Sequence, residues 1–410
     1  MSIPEDKILG VRDKCRNALS SRVSIRFLSS ILGSLEFFRW GCPIAALHLR
    51  GLQRFVGLLL SKGLDYDVSV NPSEEARTDL DWWASCGPSL PPRSLSPFLA
   101  DITLFSDASD LGWGAWTSSH EVWGKWSPEE LDKHINYREL LSVFLSFQTF
   151  FRSTYSCSIL IRSDSQTVVS PVNKQGGTAA RDLCNLALSL WEFCVARDIT
   201  ISATHIAGVE NDRADWLSRL DFLDHDYFLS SSVFFSISEA LSFSLSVDLF
   251  ASRLNFKISN FVSWHSDPLS SLVDAFSFKW VDNIYLFPPL PLLSKVFDKF
   301  IADNVIHGLI ICPFCPSQPW FSGLLELLID SPFLISDSCI VDPSRLLPKH
   351  CHFLGWPIGT VRAQRQAFRA KLPAAPSGVS QRIPWLGTKG AGVSSAVGVL
   401  DGKLVMVRSV

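Results

Sequence analysis

The sequence predicts an α/β protein in which residues 101–220 form a mixed five-stranded sheet with flanking helices. Three short apolar or aromatic runs, separated by Gly, Ser and Asp, follow Asp101 and are typical of a β-meander. Amphipathic stretches at helical spacing then alternate with two more apolar runs, which gives the order β-β-β-α-β-α-α-β-α. This alternation predicts a mixed sheet with helices packed on it.

Local patterns justify the elements of this domain. Asn136 offers an N-cap to the first helix, with Glu139 three residues later, and Leu140 and Phe147 lie on the apolar stripe of that helix. Asn211 is expected to cap a last short helix. Strands are predicted at 102–106, 113–116, 122–126, 158–163 and 199–205, and a second long helix at 180–196.

The flanking regions predict three further parts. Residues 1–100 are expected to be a helical segment, because 25–38 and 47–60 carry apolar residues at the helix period. Apolar strands alternating with helices predict a second small α/β unit over 221–345. Residues 346–410 are expected to be a basic, largely disordered tail, since 345–410 holds ten basic residues and one acidic residue and turns rich in Gly, Ser, Pro and Ala after Ala374.

Composition limits the class of protein. A chain of 410 residues with 47% hydrophobic residues and a net charge of −3 has enough apolar surface for real cores, which excludes a wholly disordered protein. Ten cysteines over this length do not make a disulfide scaffold. No signal segment and no apolar run of the roughly 18–20 residues that cross a bilayer is evident, so we expect an intracellular protein, nuclear or cytoplasmic, with no membrane partner.

Four acidic residues occupy the positions that catalysis would require. Asp107 ends the first strand of the sheet, Glu139 lies in the first helix, Asp164 follows the fourth strand and Asp215 lies in the last helix. Carboxylates at strand ends and helix starts can converge on one edge of a sheet, where their mutual repulsion favours protonation or bound cations. Two divalent ions about 3.5–4 Å apart are the arrangement that catalyses in-line phosphoryl displacement.

The ordered acidic set resembles the ribonuclease H domain of reverse transcriptases. The third acidic residue lies in Ser163-Asp-Ser-Gln166, and the fourth ends the pattern His205-x-x-Gly208-x-x-Asn211-x-x-Ala214-Asp215. The segments 107–115, 134–141, 173–178 and 214–219 are more narrowly similar to DIRS-type (tyrosine-recombinase) retrotransposons. More loosely, Leu47–Gln53 and Asp81-Trp-Trp83 resemble the segment that links polymerase to RNase H, so 1–100 is interpreted as a polymerase-linker remnant.

The resemblance implies hydrolysis of the RNA strand of an RNA–DNA hybrid with two Mg²⁺ ions, or Mn²⁺ in their place. Asp107 would bridge both ions, Glu139, Asp164 and Asp215 would complete the coordination, and His205 would assist proton transfer or product release. The partners implied are the hybrid and an upstream polymerase domain or chain, whereas the oligomeric state stays open. Residues implied to contact the nucleic acid are Asn136, Ser165, Gln166 and Asn173.

Two departures qualify the resemblance. Residues 101–220 hold fifteen acidic and ten basic residues, although phosphate binding requires cations, so substrate affinity must come from other basic residues, the N-terminal arginines, the tail or a partner. The chain has no Tyr-x-Asp-Asp sequence, so DNA synthesis by this chain alone is not expected.

The second unit resembles the adenine methyltransferase-like region that follows RNase H in these elements. The resemblance rests on Val247-Asp-Leu-Phe-Ala-Ser252 and on Tyr285-Leu-Phe-Pro-Pro-Leu290. Phe287 stands where such enzymes place a polar residue before Pro-Pro, so the unit is interpreted as degenerate.

Two other functions stay open from the sequence. One is a catalytically silent, nucleic-acid-binding remnant of a retrotransposon polyprotein. The other is an integrase-like enzyme of the same fold, although that class ends its acidic set with a helical Glu and this chain has Asp215.

Overall fold

The chain divides into two compact units, Met1–Leu220 and Asp221–Val410, in a computed structural model. The structure describes residues 3–42, 45–86, 97–175, 180–220, 227–341, 352–374, 396–400, 403–406 and 408–409. Among the described helices, none combines the length and the apolar character that crossing a membrane requires.

The first unit begins with helices that bury the apolar faces seen in the sequence. The predicted helix at 25–38 is confirmed, and Ser24 caps it by accepting a hydrogen bond from the Phe27 amide. The stretch predicted at 47–60 is interrupted at His48. The following helix has Leu49 as its N-cap residue, and Asp79 from a later helix supplies the acceptor: its Oδ2 accepts from the Leu52 amide at 2.9 Å. The elements are α1 (Glu5–Ser20), β1 (Val23–Ser24), α2 (Ile25–Phe38), α3 (Arg50–Ser61), β2 (Ser69–Val70) and α4 (Glu74–Ser85).

The same unit contains the predicted mixed five-stranded sheet, in the order β5-β4-β3-β6-β7. β3, β4 and β5 form an antiparallel meander, whereas β3, β6 and β7 run parallel. This strand order with its flanking helices is the RNase H-like fold, so the predicted fold class is confirmed. The strands are β3 (Ile102–Ala108), β4 (Gly112–Trp116), β5 (Glu121–Lys125), β6 (Cys157–Ser163) and β7 (Ile199–His205).

Two predicted helix caps differ from the structure. Asn136 is not the N-cap of its helix: His134 occupies that position, and its Nδ1 accepts from the Asn136 amide at 3.1 Å. Asn211 does stand at the N-cap position, but its side chain makes no cap hydrogen bond because it binds elsewhere. The helices are α5 (Pro128–Leu131), α6 (Ile135–Phe150), α7 (Gln166–Asn173), α8 (Arg181–Val195) and α9 (Asp212–Ser218).

Two glycines of β4 allow close backbone contacts beside the sheet. A Cβ on Gly112 would lie 2.4 Å from the Gly124 carbonyl oxygen in β5. A Cβ on Gly114 would lie 2.4 Å from Cβ of Leu217, so only glycine lets α9 pack directly on β4. The Gly-Trp-Gly sequence therefore fixes how closely α9 approaches the sheet.

The second unit is built on a six-stranded sheet in the order β19-β14-β16-β13-β12-β9. β9, β12 and β13 are parallel, and their core holds Ile284, Ile310 and Trp356. The elements of this unit are β8 (Phe228–Leu229), α10 (Ser231–Ala240), β9 (Val247–Asp248), β10 (Val262–Ser263), β11 (Leu272–Val273), β12 (Ile284–Leu286), α11 (Leu293–Ala302), β13 (Gly308–Pro313), α12 (Phe321–Leu327), β14 (Phe333–Leu334), β15 (Ile340–Val341), β16 (Phe353–Ile358), α13 (Arg362–Lys371), β17 (Ala396–Leu400), β18 (Lys403–Met406) and β19 (Arg408–Ser409).

The predicted boundary at 345/346 is wrong, because β16 is a buried strand of this sheet, paired antiparallel with β13. Helix α13 follows it and buries Phe368. Basic composition masked an apolar strand whose Pro357 is unusual in a sheet interior. The disorder predicted from Ala374 onward is wrong for the described residues near the C-terminus, because β17, β18 and β19 form strands there. Residues 375–395 lie outside those that the structure describes.

We expect Gly114→Ala to lower the stability of the first unit. The added methyl group must push α9 away from β4, and overpacking of this kind costs about 1–3 kcal/mol. Thermal unfolding followed by circular dichroism measures the change. Gly10→Ala is the matched control: no atom lies within 4 Å of its new Cβ in α1, and it should gain roughly 0.5–1 kcal/mol. Equal melting temperatures for Gly114→Ala and wild type would contradict the close packing.

Candidate active site

Asp107 is the buried carboxylate at the centre of the candidate site. It is the next-to-last residue of β3, is 6% exposed, and its Oδ2 accepts a hydrogen bond from Ser218 Oγ at 2.6 Å. Burial raises the pKa of Asp107 to about 6; the Ser218 bond opposes this rise, and the negative charges of Asp164 and Asp215 add to it. The end of the strand therefore carries a carboxylate that takes up a proton more readily than an ordinary aspartate does.

Glu139 has the most strongly perturbed carboxyl group of the predicted set. It is the fifth residue of α6, and its Oε2 is buried without a hydrogen-bond partner. Burial, followed by the charges of Asp107 and Asp164, raises the pKa of Glu139 to about 8. Without a cation this side chain is therefore mostly protonated at neutral pH.

Asp164 directly follows β6 and is held by Asn211. The Asn211 side chain, itself buried, donates from Nδ2 to Asp164 Oδ1 and to the Ser106 carbonyl oxygen, both at 3.1 Å. Because Ser106 lies in β3 and Asp164 follows β6, one amide connects the ends of two parallel strands to the start of α9. The sequence predicts that Asn211 caps a helix, whereas in the structure its side chain orients Asp164.

Asp215 lies in α9 and is paired with Arg219. Arg219 donates from Nε and Nη2 to Asp215 Oδ1 at 2.8 and 2.6 Å, and the Asp215 side chain is 45% exposed. Ser218 Oγ also lies 2.8 Å from the Asp215 carbonyl oxygen. Ser218 and Arg219 belong to the Ala-Asp-Trp-Leu-Ser-Arg segment noted in the sequence, yet neither was predicted to have a role.

The four carboxylates act on one another electrostatically. Asp107 is influenced by Asp164 and Asp215, and Glu139 by Asp107 and Asp164. This coupling follows from the parallel pairing of β3 and β6, which brings the carboxyl ends of both strands to the same edge of the sheet. Within the described ranges, however, no three His, Cys, Asp or Glu side chains are arranged as a metal-binding group.

The donors nevertheless fit Mg²⁺ chemically. Carboxylate oxygens are the ligands that Mg²⁺ and Mn²⁺ prefer, and a cation would satisfy the buried, unpartnered Oε2 of Glu139. In this structure Ser218 binds only Oδ2 of Asp107 and Arg219 binds only Oδ1 of Asp215, so neither contact uses the second oxygen of the carboxylate it binds.

His205 ends β7 next to Asp164. Its Nε2 lies 3.0 Å from the Asp164 carbonyl oxygen, and since a carbonyl only accepts, Nε2 is the donor and carries the proton. Nδ1 is then the ring atom that can accept a proton.

The residues predicted to contact nucleic acid fall into two groups. Asn136 lies in the first turn of α6, three residues before Glu139, while Ser165 and Gln166 follow Asp164 at the start of α7. Asn173 has a different role: its side chain donates to the Ala203 carbonyl oxygen and accepts from the Ala203 amide, at 2.8 and 2.9 Å. Because β7 is an edge strand, Asn173 satisfies backbone groups that the sheet leaves unpaired.

Comparisons with known proteins give resemblances to solved structures. No protein-family model matches the chain, and no curated protein matches its sequence. RNase H1 from the halophilic archaeon Halobacterium salinarum is 20% identical, with a TM-score of 0.25, over 28% of this chain and 92% of that one. LC11-RNase H1 in complex with an RNA/DNA hybrid is 18% identical, with a TM-score of 0.25, over 28% and 93%.

A structure of the foamy viral protease-reverse transcriptase in complex with an RNA/DNA hybrid is 15% identical, with a TM-score of 0.18, over 48% of this chain and 26% of that one. The fold assignment rests on the strand order and register of the sheet itself.

We expect the metal-free protein to lose stability as pH rises from about 4.5 to 8. The pKa of Glu139 is higher in the folded than in the unfolded chain. Above about pH 4.5 the unfolded chain releases a proton that the folded chain retains, so the free energy of unfolding falls as pH rises. The fall ends once the pH passes the folded pKa of about 8. Asp107 adds a similar loss between about pH 4 and 6.

Denaturant unfolding in EDTA at about pH 5, 6, 7 and 8 measures how the free energy of unfolding changes with pH across this titration. In Glu139→Gln this side chain does not titrate, so the difference in the free energy of unfolding between pH 5 and 8 should be about 1–3 kcal/mol smaller than in wild type. A variant with the same pH slope as wild type would show that Glu139 does not have the raised pKa.

Proposed function

We propose that residues 101–220 form an RNase H-type endonuclease that hydrolyses the RNA strand of RNA–DNA hybrids by two-metal catalysis. In this proposal the chain derives from a DIRS-type retrotransposon reverse transcriptase and works with an upstream polymerase domain or chain. The observation that carries it is the arrangement of Asp107 and Asp164 at the ends of the parallel strands β3 and β6, both bound by residues 211 and 218 of the segment that carries Asp215, at one edge of an RNase H-like sheet. The charges of Asp107 and Asp164 also act on Glu139.

In the proposed mechanism, Asp107, Glu139, Asp164 and Asp215 would hold the divalent ions. Ions bound there would supply Lewis-acid activation of the scissile phosphate and of the attacking water. The protein keeps the ligands oriented: Ser218 fixes Asp107, Asn211 fixes Asp164, and Arg219 holds Asp215 until the site is filled. These polar contacts lower the entropic cost of assembling the site.

His205 is the residue proposed to handle a proton. Its Nε2 donates to the Asp164 carbonyl oxygen, which orients the ring and leaves Nδ1 as the proton acceptor. Asn136, Ser165 and Gln166 flank the same edge and are proposed to contact the sugars and bases of the hybrid in its minor groove. Asn173 is left out of this set because its amide binds β7.

The second unit is proposed to be a degenerate methyltransferase-like remnant without catalytic function. Phe287 is apolar and 6% exposed, so it cannot bind the amino group of a target base. Asp248, at the end of β9, accepts from the amides of Phe250 and Lys257, and burial raises its pKa to about 7. These contacts give Asp248 a structural role in the loop after β9.

A catalytically silent, nucleic-acid-binding remnant is the second candidate function. It is favoured by the pairing of Asp215 with Arg219 and by the absence, among the described residues, of a group of three ligands arranged for a metal.

Cleavage of a labelled RNA–DNA hybrid in Mg²⁺ tests the proposal. We expect wild type to cut the RNA strand and Asp107→Asn to lose at least about a hundredfold in rate, because the amide keeps the shape of the side chain but removes the charge that binds the ions. Asp198→Asn is the matched control: Asp198 precedes β7 at its opposite end, and its positive φ of 54° suits asparagine.

Three other outcomes would overturn the proposal. Absence of cleavage by a wild-type protein with a cooperative melting transition would assign the silent remnant. Joining of DNA ends would assign the integrase-like enzyme. Equal cleavage by wild type and Asp107→Asn would place the activity outside this site.

A further inference from the structure

We propose that Arg50, Arg54 and Arg181 form a phosphate-binding surface, called here the arginine surface, which binds the backbone of the nucleic-acid substrate. The three residues come from α3 and from the first turn of α8, so the surface joins the helical segment to the RNase H-like domain. The inference rests on the proposed function for the identity of the substrate, but not for the existence of the surface.

Positive charge exceeds negative charge at this surface. Glu75 is shared by Arg54, at 3.1 Å, and by Arg181, at 3.0 Å. Arg50 donates to the neutral amide oxygen of Gln53 at 2.8 Å, and in the described part of the chain no carboxylate lies within salt-bridge distance of it. Gln53 in turn donates to Glu36, which is already paired with Arg39 at 2.8 Å. Three arginines thus pair with two glutamates and Arg50 pairs with neither, while the buried Asp79 adds one further carboxyl group near Arg54.

The surrounding charges shift the pKa of Arg50. Burial lowers the pKa of Arg50, and the positive charges of Arg39 and Arg54 lower it further, whereas the negative charge of Glu36 raises it. The Nε of Arg50 is also buried without a hydrogen-bond partner. An anion at this surface would relieve the repulsion among the guanidinium groups.

The surface is accessible to a large ligand. The side chains of Arg54 and Arg181 are 39% and 63% exposed, so their heads reach solvent. Arg54 Nη1 lies 4.0 Å from Cys184 Sγ, which shows that α3 lies against the first turn of α8. Planar guanidinium groups with several donors suit phosphate oxygens better than a lysine ammonium does.

The surface lies at the end of the sheet that carries the candidate site. Lys133, two residues before α6, pairs with Asp182 in the first turn of α8 at 2.6 Å. Helix α8 therefore begins beside the start of α6, the helix that carries Glu139. A hybrid that placed a phosphate at the carboxylates could continue toward the arginines on the same side of the molecule.

This position answers the charge problem of residues 101–220. That region has five more acidic than basic residues, so it repels a polyanion except where cations are bound. Arg50 and Arg54 come from outside it and supply the positive charge that phosphate binding requires. A nucleic acid is favoured over an acidic protein because the surface shares one end of the unit with a candidate phosphodiester-cleaving site.

Salt-dependent binding of a short labelled RNA–DNA hybrid to the full chain in EDTA tests the proposal without cleavage. The triple variant Arg50→Gln, Arg54→Gln, Arg181→Gln should weaken binding about tenfold and reduce the slope of log Kd against log salt by about two to three. The matched control removes three exposed positive charges elsewhere, with Lys7→Gln, Arg16→Gln and Lys62→Gln, and should stay within about twofold of wild type.

Two further variants separate charge from folding. Replacement of the same three arginines by lysine should retain the wild-type salt slope, because the charge number is unchanged. If the triple glutamine variant does not melt cooperatively, Arg181→Gln alone replaces it, since that side chain is mostly exposed; it should reduce the slope by about one.

The outcomes distinguish this inference from the proposed function. Arginine-dependent binding by a wild type that does not cleave would support the surface while rejecting the nuclease. Cleavage with unchanged Kd and salt slope in the triple variant would overturn the surface alone. Arginine-dependent binding of poly-glutamate, tighter than binding of the hybrid, would overturn it in favour of an acidic protein partner.

Discussion

The burial of neighbouring carboxylates at one edge of a sheet is the constraint on which the candidate site of the first unit depends. Burial and mutual charge raise the pKa of Asp107 and of Glu139, so the folded chain bears an electrostatic cost there. Polar neighbours limit that cost: Ser218 binds Asp107, and Arg219 pairs with Asp215. A cluster of carboxyl groups with perturbed pKa values is a candidate functional site on physical grounds.

The strand pairing and helix packing of the unit bring these carboxylates close together. Parallel pairing of β3 with β6 brings Asp107 and Asp164 to the same edge of the sheet. Gly114 lets α9 lie directly on β4, which places Asp215 and Ser218 beside the end of β3. Asn211 then connects β3, β6 and α9 through a single amide. A change in the position of α9 would therefore disturb the contacts of Asp107 and Asp164, which ties the packing of α9 to the geometry of the site.

Sequence reasoning found the strands and most helices because their apolar periodicity is local and strong, as in α2 and β6. It missed interactions that depend on residues distant in the chain. His134 rather than Asn136 caps α6, and the side chain of Asn211 reaches Ser106 instead of its own helix. The buried strand β16 was overlooked because basic residues around it, together with Pro357, concealed its apolar pattern.

The sequence by itself determined the five-stranded fold class and the candidate acidic residues, since both follow from residue type and spacing along the chain. Only the tertiary structure decided which groups stabilise each carboxylate, that Asn173 binds β7, and that arginines of α3 lie against α8. The physical reason is that hydrogen bonds and Coulomb interactions depend on distance in space. Residues more than a hundred positions apart, such as Asp107 and Ser218, meet only after the sheet has formed.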